Sequence, residues 1–376
     1  MKVAFISTYP PEHCGIGEYT FYLTEEMAKH IPLLVFSSKG SEAKEGRITS
    51  VPCFEVRKVD FERILDTVSR YAPLDVVHIQ HEYGIFGDGK DFLWFLEELK
   101  NCTRAICITL HTPVHSLNPR AGYQKELTER VEGVFVHSAL AEYELWQQGL
   151  DLRKVYLVPH GTHINKLKSS KENLSRILGD GFSTNGSFLI TVPGFLRWDK
   201  GITNLKAMCK RILERFPNTK VLVAGSFQAE GDELRELKVA TREVTDLFGE
   251  VWFSNGFLPR RKLLQILSAS DAILLAYQEW PGHIGVSGML HLAMGSLKPI
   301  LASRVPRLVE YTERVPELCF VQEDFDGLLE AVKHLRDNYE EVSRDVKRQL
   351  LPLVQKTSWE VTARRHLEIY ERLLRS

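Results

Sequence analysis

The stretch Phe188-Leu189-Ile190-Thr191-Val192-Pro193-Gly194-Phe195-Leu196-Arg197-Trp198-Asp199-Lys200-Gly201 decides the fold of this chain. Its apolar first half predicts a buried strand, and the residues from Ile202 to Phe216 repeat apolar side chains near the 3.6-residue helical period until Pro217. A turn that joins such a strand to a helix brings backbone N–H groups and two cations, Arg197 and Lys200, to the carboxyl end of the strand. Ligands bind there in open α/β sheets, and a helix N-terminus favours phosphate oxygens.

Alternating strands and helices extend outward from this stretch in both directions. Nearly continuous runs of Val, Ile and Leu indicate strands that are buried on both faces, as in a parallel sheet. The predicted strands are Val3–Ser7, Leu33–Ser37, Val76–Gln80, Ile106–Leu110, Val134–His137, Val155–Val158, Phe188–Val192, Val221–Ala224, Val251–Ser254, Ala272–Ala276, Pro299–Ala302 and Leu318–Val321. The predicted helices of the first half are Glu18–Lys29, Phe61–Tyr71, Phe92–Leu99 and Leu140–Gln148. This order predicts an α/β protein with two Rossmann-like domains in series.

The length of 376 residues also favours two domains. Residues 166–186 are rich in Lys, Ser, Asn and Gly and are predicted to link a first domain, 1–165, to a second, 187–354. A helical pattern over 355–376, which includes Trp359, is expected to pack back on the first domain.

Composition limits the classes of function. The chain is 44% hydrophobic and 26% charged, with a net charge of -1, which does not favour nucleic-acid binding. Its six scattered cysteines are typical of a reducing compartment. The apolar run at the N-terminus is too short for a signal peptide, and no run reaches the roughly 20 residues that span a bilayer. We expect a cytoplasmic protein, with peripheral contact to a membrane surface left open.

The two cations of the opening stretch have two interpretations. They are either a solvated surface or part of an anion site. Cations at a helix N-terminus oppose the helix dipole. That unfavourable placement favours a bound phosphate.

A second strand and turn, Ala272 to Gly295, has a similar plan. Tyr277 and Glu279 follow the strand, and Ser287 precedes the next helix, where it is a natural N-cap. Capping alone would explain the serine. The glycine-rich and aromatic approach to it favours a ligand pocket.

The loop from Pro10 to Gly17 joins the first strand to its helix. Gly15 and Gly17 let a ligand approach the backbone closely. The loop is not a dinucleotide-binding fingerprint, because Thr20 stands where the third glycine would be. A loop without a ligand is the alternative.

Histidine lies at or just past the predicted end of four strands in the first half: His81, His111, His137 and His160. Each can donate to a sugar hydroxyl, and a protonated histidine can stabilise an anion. A single histidine of this kind is more often structural, but four at equivalent positions favour a polar ligand-binding cleft. Zinc is disfavoured because these residues follow strands and are not spaced one turn apart on a helix.

Taken together, these motifs resemble the family 4 glycosyltransferases, retaining enzymes of the GT-B fold whose two Rossmann-like domains face a cleft. The resemblance covers nearly the whole chain. It is carried by Gly15-Ile16-Gly17, Leu110-His111, Val136-His137-Ser138, Val158-Pro159-His160-Gly161, Gly194 through Gly201, Ser270-Asp271-Ala272, Lys298-Pro299-Ile300 and the Trp359 helix.

The resemblance implies a nucleotide-sugar donor on the second domain and an acceptor mainly on the first. Lys200 would match the diphosphate-binding lysine of the family, and His111 the histidine near the donor sugar. The usual partner arginine falls at Phe195, so either Arg197 takes over or that charge is missing. The backbone of Gly256-Phe257-Leu258 would meet the base.

The chain departs from the family at a pair of glutamates separated by seven residues, whose places are taken by Ile284 and Leu292. Ser287, Gly288 and Met289 would face the diphosphate instead, and Glu279 is a candidate replacement carboxylate. The catalytic candidates are therefore His111, Arg197 and Lys200. The donor or phosphate candidates are Gly15, Gly17, Gly194, Gly256, Phe257, Leu258, Tyr277, Glu279, Ser287, Gly288 and Met289. The acceptor or cleft candidates are His81, His137 and His160.

The resemblance thus implies retaining transfer of a glucose- or mannose-type hexosyl group. The donor would be a nucleoside diphosphate sugar such as GDP-mannose or UDP-glucose, and the acceptor a glycan, a lipid or a small molecule. Fixed cations would stabilise the leaving diphosphate, so neither a metal nor a cofactor is expected. The alternatives are a GT-B epimerase or phosphorylase, and a non-catalytic nucleotide-sugar-binding protein.

Overall fold

The computed structural model describes residues 1–38, 40, 44–56, 58–179, 181–184, 186–254, 256–279, 282 and 284–375. The strands are β1 (Val3–Ser7), β2 (Leu33–Ser38), β3 (Lys44–Glu45), β4 (Ile48–Phe54), β5 (Leu74–His81), β6 (Thr103–Leu110), β7 (Gly133–Val136), β8 (Val155–Leu157), β9 (Phe188–Pro193), β10 (Thr219–Ala224), β11 (Val251–Phe253), β12 (Ala272–Leu275), β13 (Ile300–Ser303) and β14 (Cys319–Phe320). The α-helices are α1 (Gly15–Met27), α2 (Phe61–Ser69), α3 (Tyr83–Phe86), α4 (Lys90–Leu99), α5 (Ala121–Glu129), α6 (Ala139–Gln147), α7 (Leu174–Leu178), α8 (Leu205–Arg215), α9 (Gly231–Leu247), α10 (Arg260–Ala269), α11 (Gly288–Gly295), α12 (Val309–Thr312), α13 (Phe325–Asp337), α14 (Tyr339–Lys356) and α15 (Trp359–Arg375).

The chain forms two compact units, each with its own sheet. The first unit comprises Met1–Gly161, Pro281–Gly288 and Thr357–Ser376, and the second comprises Thr162–Trp280 and Met289–Lys356. α15 therefore belongs to the first unit. Among the described residues, no helix is both long and apolar enough to cross a membrane.

The sheet of the first unit has the order β3-β4-β2-β1-β5-β6-β7-β8, in which β3 is antiparallel to β4 and the other pairs are parallel. Buried side chains cover both of its faces. One face packs under α2, α4 and α6, and the other carries α1 and α15 through Tyr19, Leu23, Trp359 and Tyr370. Because each face is covered, the parallel strands are apolar on both sides.

The sheet of the second unit has the order β11-β10-β9-β12-β13-β14, and all its pairs are parallel. Numbered in chain order, the strands have the doubly wound arrangement 3-2-1-4-5-6. The strand order, not the strand direction, reverses between β9 and β12. The parallel strands of the first unit follow the same order, with the reversal between β1 and β5 and with β8 as an added edge. The α/β class with two Rossmann-like parallel sheets is confirmed.

The structure differs from the predicted elements in several places. β4 and the two-residue β3 were not predicted, and neither was α5. The helix predicted from Ile202 begins later than expected. Two 3₁₀ turns, Trp198–Lys200 and Ile202–Asn204, come first and are separated by Gly201 in the left-handed conformation, and α8 begins only at Leu205.

Candidate functional site

The candidate site of the second unit lies where its sheet reverses direction. The loop after β9 carries Gly194 to Gly201, and the loop after β12 carries Tyr277 and Glu279. β9 and β12 are adjacent and parallel, so both loops emerge on the same side of the sheet, at the carboxyl ends of its strands. Topology alone therefore brings two of the predicted motifs together at the position where open α/β sheets bind ligands.

Gly201 holds these two loops against each other. Its φ of 75° and ψ of 17° lie in the left-handed region, and a Cβ atom there would be 2.0 Å from the carbonyl oxygen of Ala276. The backbone N–H of Gln278 donates to the carbonyl oxygen of Asp199 across the same junction, at 3.1 Å. Only glycine permits both the conformation and the contact. The turn that carries Lys200 is thereby fixed to the end of β12.

Asp199 is the centre of a buried ionic cluster, with a side chain that is only 5% exposed. Its Oδ1 lies 2.9 Å from Arg197 Nε, and its Oδ2 lies 2.9 Å from Arg307 Nη1 and 3.7 Å from Lys200 Nζ. Burial alone would raise the pKa of the carboxyl, but Lys200, Arg197 and Arg307 together hold that pKa below its usual value. Asp199 is therefore ionised and forms ion pairs with three cations.

This cluster corrects the argument from the helix dipole. Arg197 and Lys200 are not at the start of α8, since Gly201 and a further 3₁₀ turn intervene. Their charges are also partly balanced by Asp199, which the sequence argument did not take into account. The cluster itself, and not the dipole of α8, is therefore the feature that indicates a bound anion.

Lys200 is the member of the cluster without an acceptor. Its Nζ lies 3.7 Å from the centre of the Tyr277 ring, a cation–π contact, and its nearest carboxylate oxygen is also 3.7 Å away. Among the described residues no acceptor lies within hydrogen-bonding distance of the ammonium, although the side chain is only 19% exposed. Burial, reinforced by the charge of Arg307, lowers the pKa of Lys200 to about 7. The free site therefore stabilises the ammonium charge of Lys200 less well than water does.

Arg307 and Glu279 complete the cluster. Glu279, a predicted candidate, is paired with Arg307 Nε, and burial raises the pKa of its carboxyl. Arg307 was not predicted. It lies in the 3₁₀ turn Pro306–Leu308, shortly after β13, at the same edge of the sheet. An arginine shortly after a predicted strand end was the one available signal, because its contact with Asp199, 108 residues earlier, is visible only in the fold.

The other candidates of the second unit are spread along this edge. Met289 lies against Gly194, whose φ is 107° and whose added Cβ would be 3.2 Å from the methionine Cε. Gly256, with a φ of 93°, lies in the loop that follows β11, and Phe257 in that loop is 40% exposed. Leu258 packs partly against the core. The predicted base-binding loop is thus two strands away from Lys200 and presents an aromatic ring.

Ser287 and Gly288 group with the first unit. α11 begins at Gly288, directly after Ser287, which is buried. An added Cβ at Gly288 would be 3.3 Å from His160 Nε2. The structure therefore places these two residues beside one of the predicted histidines.

Tyr19 of α1 organises the histidines of the first unit. Its ring centre lies 4.9 Å from that of His111, 5.1 Å from that of His137 and 5.0 Å from that of His160. The Trp359 ring closes the group at 5.1 Å. The Tyr19 hydroxyl is buried and has no hydrogen-bond partner in the described part of the chain. Three of the four predicted histidines therefore form one aromatic layer.

His81 does not join this layer, contrary to the expectation of a single set. It is the last residue of β5 and is aligned with Leu110 of β6, so His111 comes one residue later. Successive side chains of a strand point to opposite faces. His81 accordingly packs with Phe86, Phe92 and Tyr123 on the other face of the sheet.

The histidines of the layer have defined hydrogen bonds. His111 Nε2 donates to Gln80 Oε1 at 2.8 Å, and the Nδ1 atoms of His137 and His160 donate to the carbonyl oxygens of Val158 and Gly161. Burial, with neighbouring histidines, lowers the pKa of His111 well below its usual value. His111 is therefore neutral at pH 7. Of the two predicted roles, binding hydroxyls fits it and stabilising an anion by its charge does not.

The two glycines of the first loop differ. α1 begins at Gly15, where an added Cβ would meet nothing within 4 Å. At Gly17 it would lie 3.3 Å from the backbone of Thr8 and Tyr9. Gly17 thus lets α1 approach the end of β1 closely, a packing role.

The acidic groups of the described residues do not form a metal site. Asp324-Phe325-Asp326 is an Asp-x-Asp sequence, but Asp324 caps α13 and Asp326 is exposed and pairs with Arg211 at 2.7 Å. The described residues contain no group of three His, Cys, Asp or Glu side chains arranged to hold a metal ion.

Comparison with solved structures identifies the same fold in several glycosyltransferases. Sucrose-phosphate synthase from Thermosynechococcus elongatus superposes with a TM-score of 0.76 at 17% sequence identity over 99% of each chain. HepE from Anabaena, in complex with UDP and glucose, gives 0.76 at 14% identity over 99% of each chain. A trehalose-phosphate synthase (UDP-forming) from Burkholderia xenovorans, in complex with glucose-6-phosphate, gives 0.76 at 11% identity over 99% of this chain and 100% of that one. At such identities the likeness establishes the fold, which is shared with GT-B glycosyltransferases.

No protein-family model matches the sequence, and no curated protein matches it significantly.

Proposed function

We propose that this protein is a retaining glycosyltransferase that moves a glucose- or mannose-type hexosyl group from a nucleoside diphosphate sugar to an acceptor. The second unit binds the donor. The histidine layer of the first unit binds acceptor hydroxyls. The observation that carries this proposal is Lys200, a largely buried ammonium at the reversal point of a doubly wound sheet, which has no hydrogen-bond acceptor among the described residues.

The chemistry follows from charge. Cleavage of the bond between the sugar and the phosphate builds negative charge on the departing nucleoside diphosphate. Lys200 and Arg307 are fixed near one another by Asp199, so they stabilise that charge without reorganising during the reaction. We therefore propose that the reaction needs neither a metal nor a cofactor.

The neighbours in fold support the class of donor. HepE has been crystallised with UDP-glucose, and the trehalose-phosphate synthase with a sugar phosphate. The six cysteines are unpaired thiols, which supports a cytoplasmic location.

The test is an assay with UDP-glucose and GDP-mannose against a panel of glycan, lipid and sugar-phosphate acceptors. We expect nucleoside diphosphate to be released only when an acceptor is present, and the product to keep the anomeric configuration of the donor by NMR. An epimerised donor, a requirement for inorganic phosphate, or binding of nucleotide without turnover across the panel would each contradict the proposal.

A further inference from the structure

We propose that Arg307, and not Arg197, is the second cation that contacts the diphosphate, in place of the arginine that is absent at Phe195. This inference rests on the proposed function, because it concerns the same donor site. The positive charge that is absent at Phe195, in the loop after β9, is supplied from the loop after β13.

Arg307 is placed beside Lys200 by a shared partner. Both cations contact the same oxygen, Asp199 Oδ2. The distance between their nitrogen atoms is therefore no larger than the sum of the two contact distances. The charge of Arg307 also contributes to the lowered pKa of Lys200, as expected for two close cations. An anion that reaches one of them is therefore within reach of the other.

The guanidinium of Arg307 still has donors to offer. Nε is paired with Glu279 and Nη1 donates to Asp199 Oδ2 at 2.9 Å. Among the residues that the structure describes, Nη2 has no partner. The contacts of Nε and Nη1 with two carboxylates hold the guanidinium in one orientation, and the N–H donors of Nη2 suit a phosphate oxygen. Arg307 is thus oriented before any ligand arrives.

Arg197 is in a weaker position for this role. Its side chain is 43% exposed, whereas that of Arg307 is 18% exposed. Its Nε contacts Asp199 Oδ1, whereas Lys200 and Arg307 share Oδ2. Water screens an exposed cation, so it contributes less to holding a phosphate than an enclosed one.

The charges of the cluster leave room for an anion. Three cations, Arg197, Lys200 and Arg307, face two carboxylates, Asp199 and Glu279. An excess positive charge in a mostly buried site is unfavourable unless an anion balances it. A diphosphate between Lys200 and Arg307 supplies that balance.

The experiment measures the Kd of UDP, GDP and UMP by calorimetry for the wild type, Arg307→Gln, Arg307→Lys and Arg197→Gln. We expect Arg307→Gln to weaken binding of the preferred diphosphate by roughly 10- to 100-fold. The loss for UMP should be smaller, because one phosphate is missing. Arg307→Lys should restore part of the affinity, and Arg197→Gln should stay within about threefold of the wild type.

Removing Arg307 leaves Glu279 without its cation, so the experiment needs a control for the folding of the Arg307 variant. The double variant Arg307→Gln/Glu279→Gln removes both partners and keeps Asp199 paired with Arg197 and Lys200. Wild-type affinity in Arg307→Gln, or a larger loss in Arg197→Gln, would overturn the inference alone. If the wild type binds neither UDP nor GDP, the proposed function fails, and the inference fails with it.

Discussion

The two units place buried polar side chains at the carboxyl ends of sheets with the same core strand order, but they do so with opposite chemistry. In the second unit the position holds a cluster of charges around Asp199. In the first it holds a layer of rings around Tyr19, in which His111 is neutral at pH 7. Strand order therefore determines where the site lies, while the loop residues determine what it can bind. Charged groups suit a diphosphate, and neutral donors and acceptors suit hydroxyls.

The largest expected effect is at Lys200. Lys200→Met should weaken binding of UDP or GDP and the rate of diphosphate release by about 100- to 1000-fold, because it removes a cation where charge develops. Lys206→Met is the matched control, since Lys206 is 48% exposed on α8 and pairs with Glu243. Calorimetry and a diphosphate-release assay measure both. Equal behaviour of the two variants would show that the charged cluster is structural.

Acid should destabilise the first unit more than the second. Burial lowers the pKa of His81 to about 3 and that of His366 to about 4, so the unfolded first unit binds more protons below pH 6.5 than the folded one. The stability that these groups contribute is full above pH 6.5 and is lost as the pH falls. The expected loss in the free energy of unfolding at pH 5 is about 2 kcal/mol per histidine.

Hydrogen exchange of β6 and β9 amides at pH 7 and pH 5 measures this difference. Lys200 in the second unit is protonated in both the folded and the unfolded state below about pH 6, so it adds no pH dependence there. Protection should fall in β6 and persist in β9. A parallel decrease in both strands would contradict the contrast.

Binding of the diphosphate should itself depend on pH. Burial lowers the pKa of Lys200 to about 7, so the free site loses its ammonium proton as the pH rises above 7, and a bound anion restores it. We expect proton uptake on binding at pH 8 and an increase in Kd of up to about tenfold per pH unit above 7. Calorimetry in buffers of different ionisation enthalpy detects the proton. Lys200→Arg should remove the dependence, since its guanidinium stays protonated.

The smallest effect should be that of chelation. If fixed cations stabilise the leaving group, EDTA should change the rate of diphosphate release by less than about twofold. A loss that Mg²⁺ or Mn²⁺ reverses would show that a metal contributes to the charged site.

Much of the fold could be predicted because its strands are continuous apolar runs. β4 was not predicted because its buried and partly exposed residues alternate and Pro52 interrupts the apolar run. α5 escaped because its buried residues, Gln124, Leu127 and Thr128, are mostly polar and leave no apolar period to detect. Both elements depend on tertiary contacts more than on local pattern.

The candidate site was predictable where it depends on one stretch of chain. Lys200 follows its own strand, and its turn was visible in the sequence. Arg307 meets Asp199 only because β12 and β13 pair in order beside β9. His81 lies on the opposite face because of the register between β5 and β6, which a run of apolar letters does not reveal.

The membership of α15 has a consequence for how the protein is made. Tyr370 of α15 hydrogen-bonds His78 and Trp359 covers Tyr19, so the first unit completes its core only when residues 357–376 are present. During synthesis on the ribosome, residues 162–356 emerge before them. The second unit can therefore reach its native state while the part of the first sheet that α15 covers is still open to water. This is the reverse of the amino-to-carboxyl order in which domains generally fold.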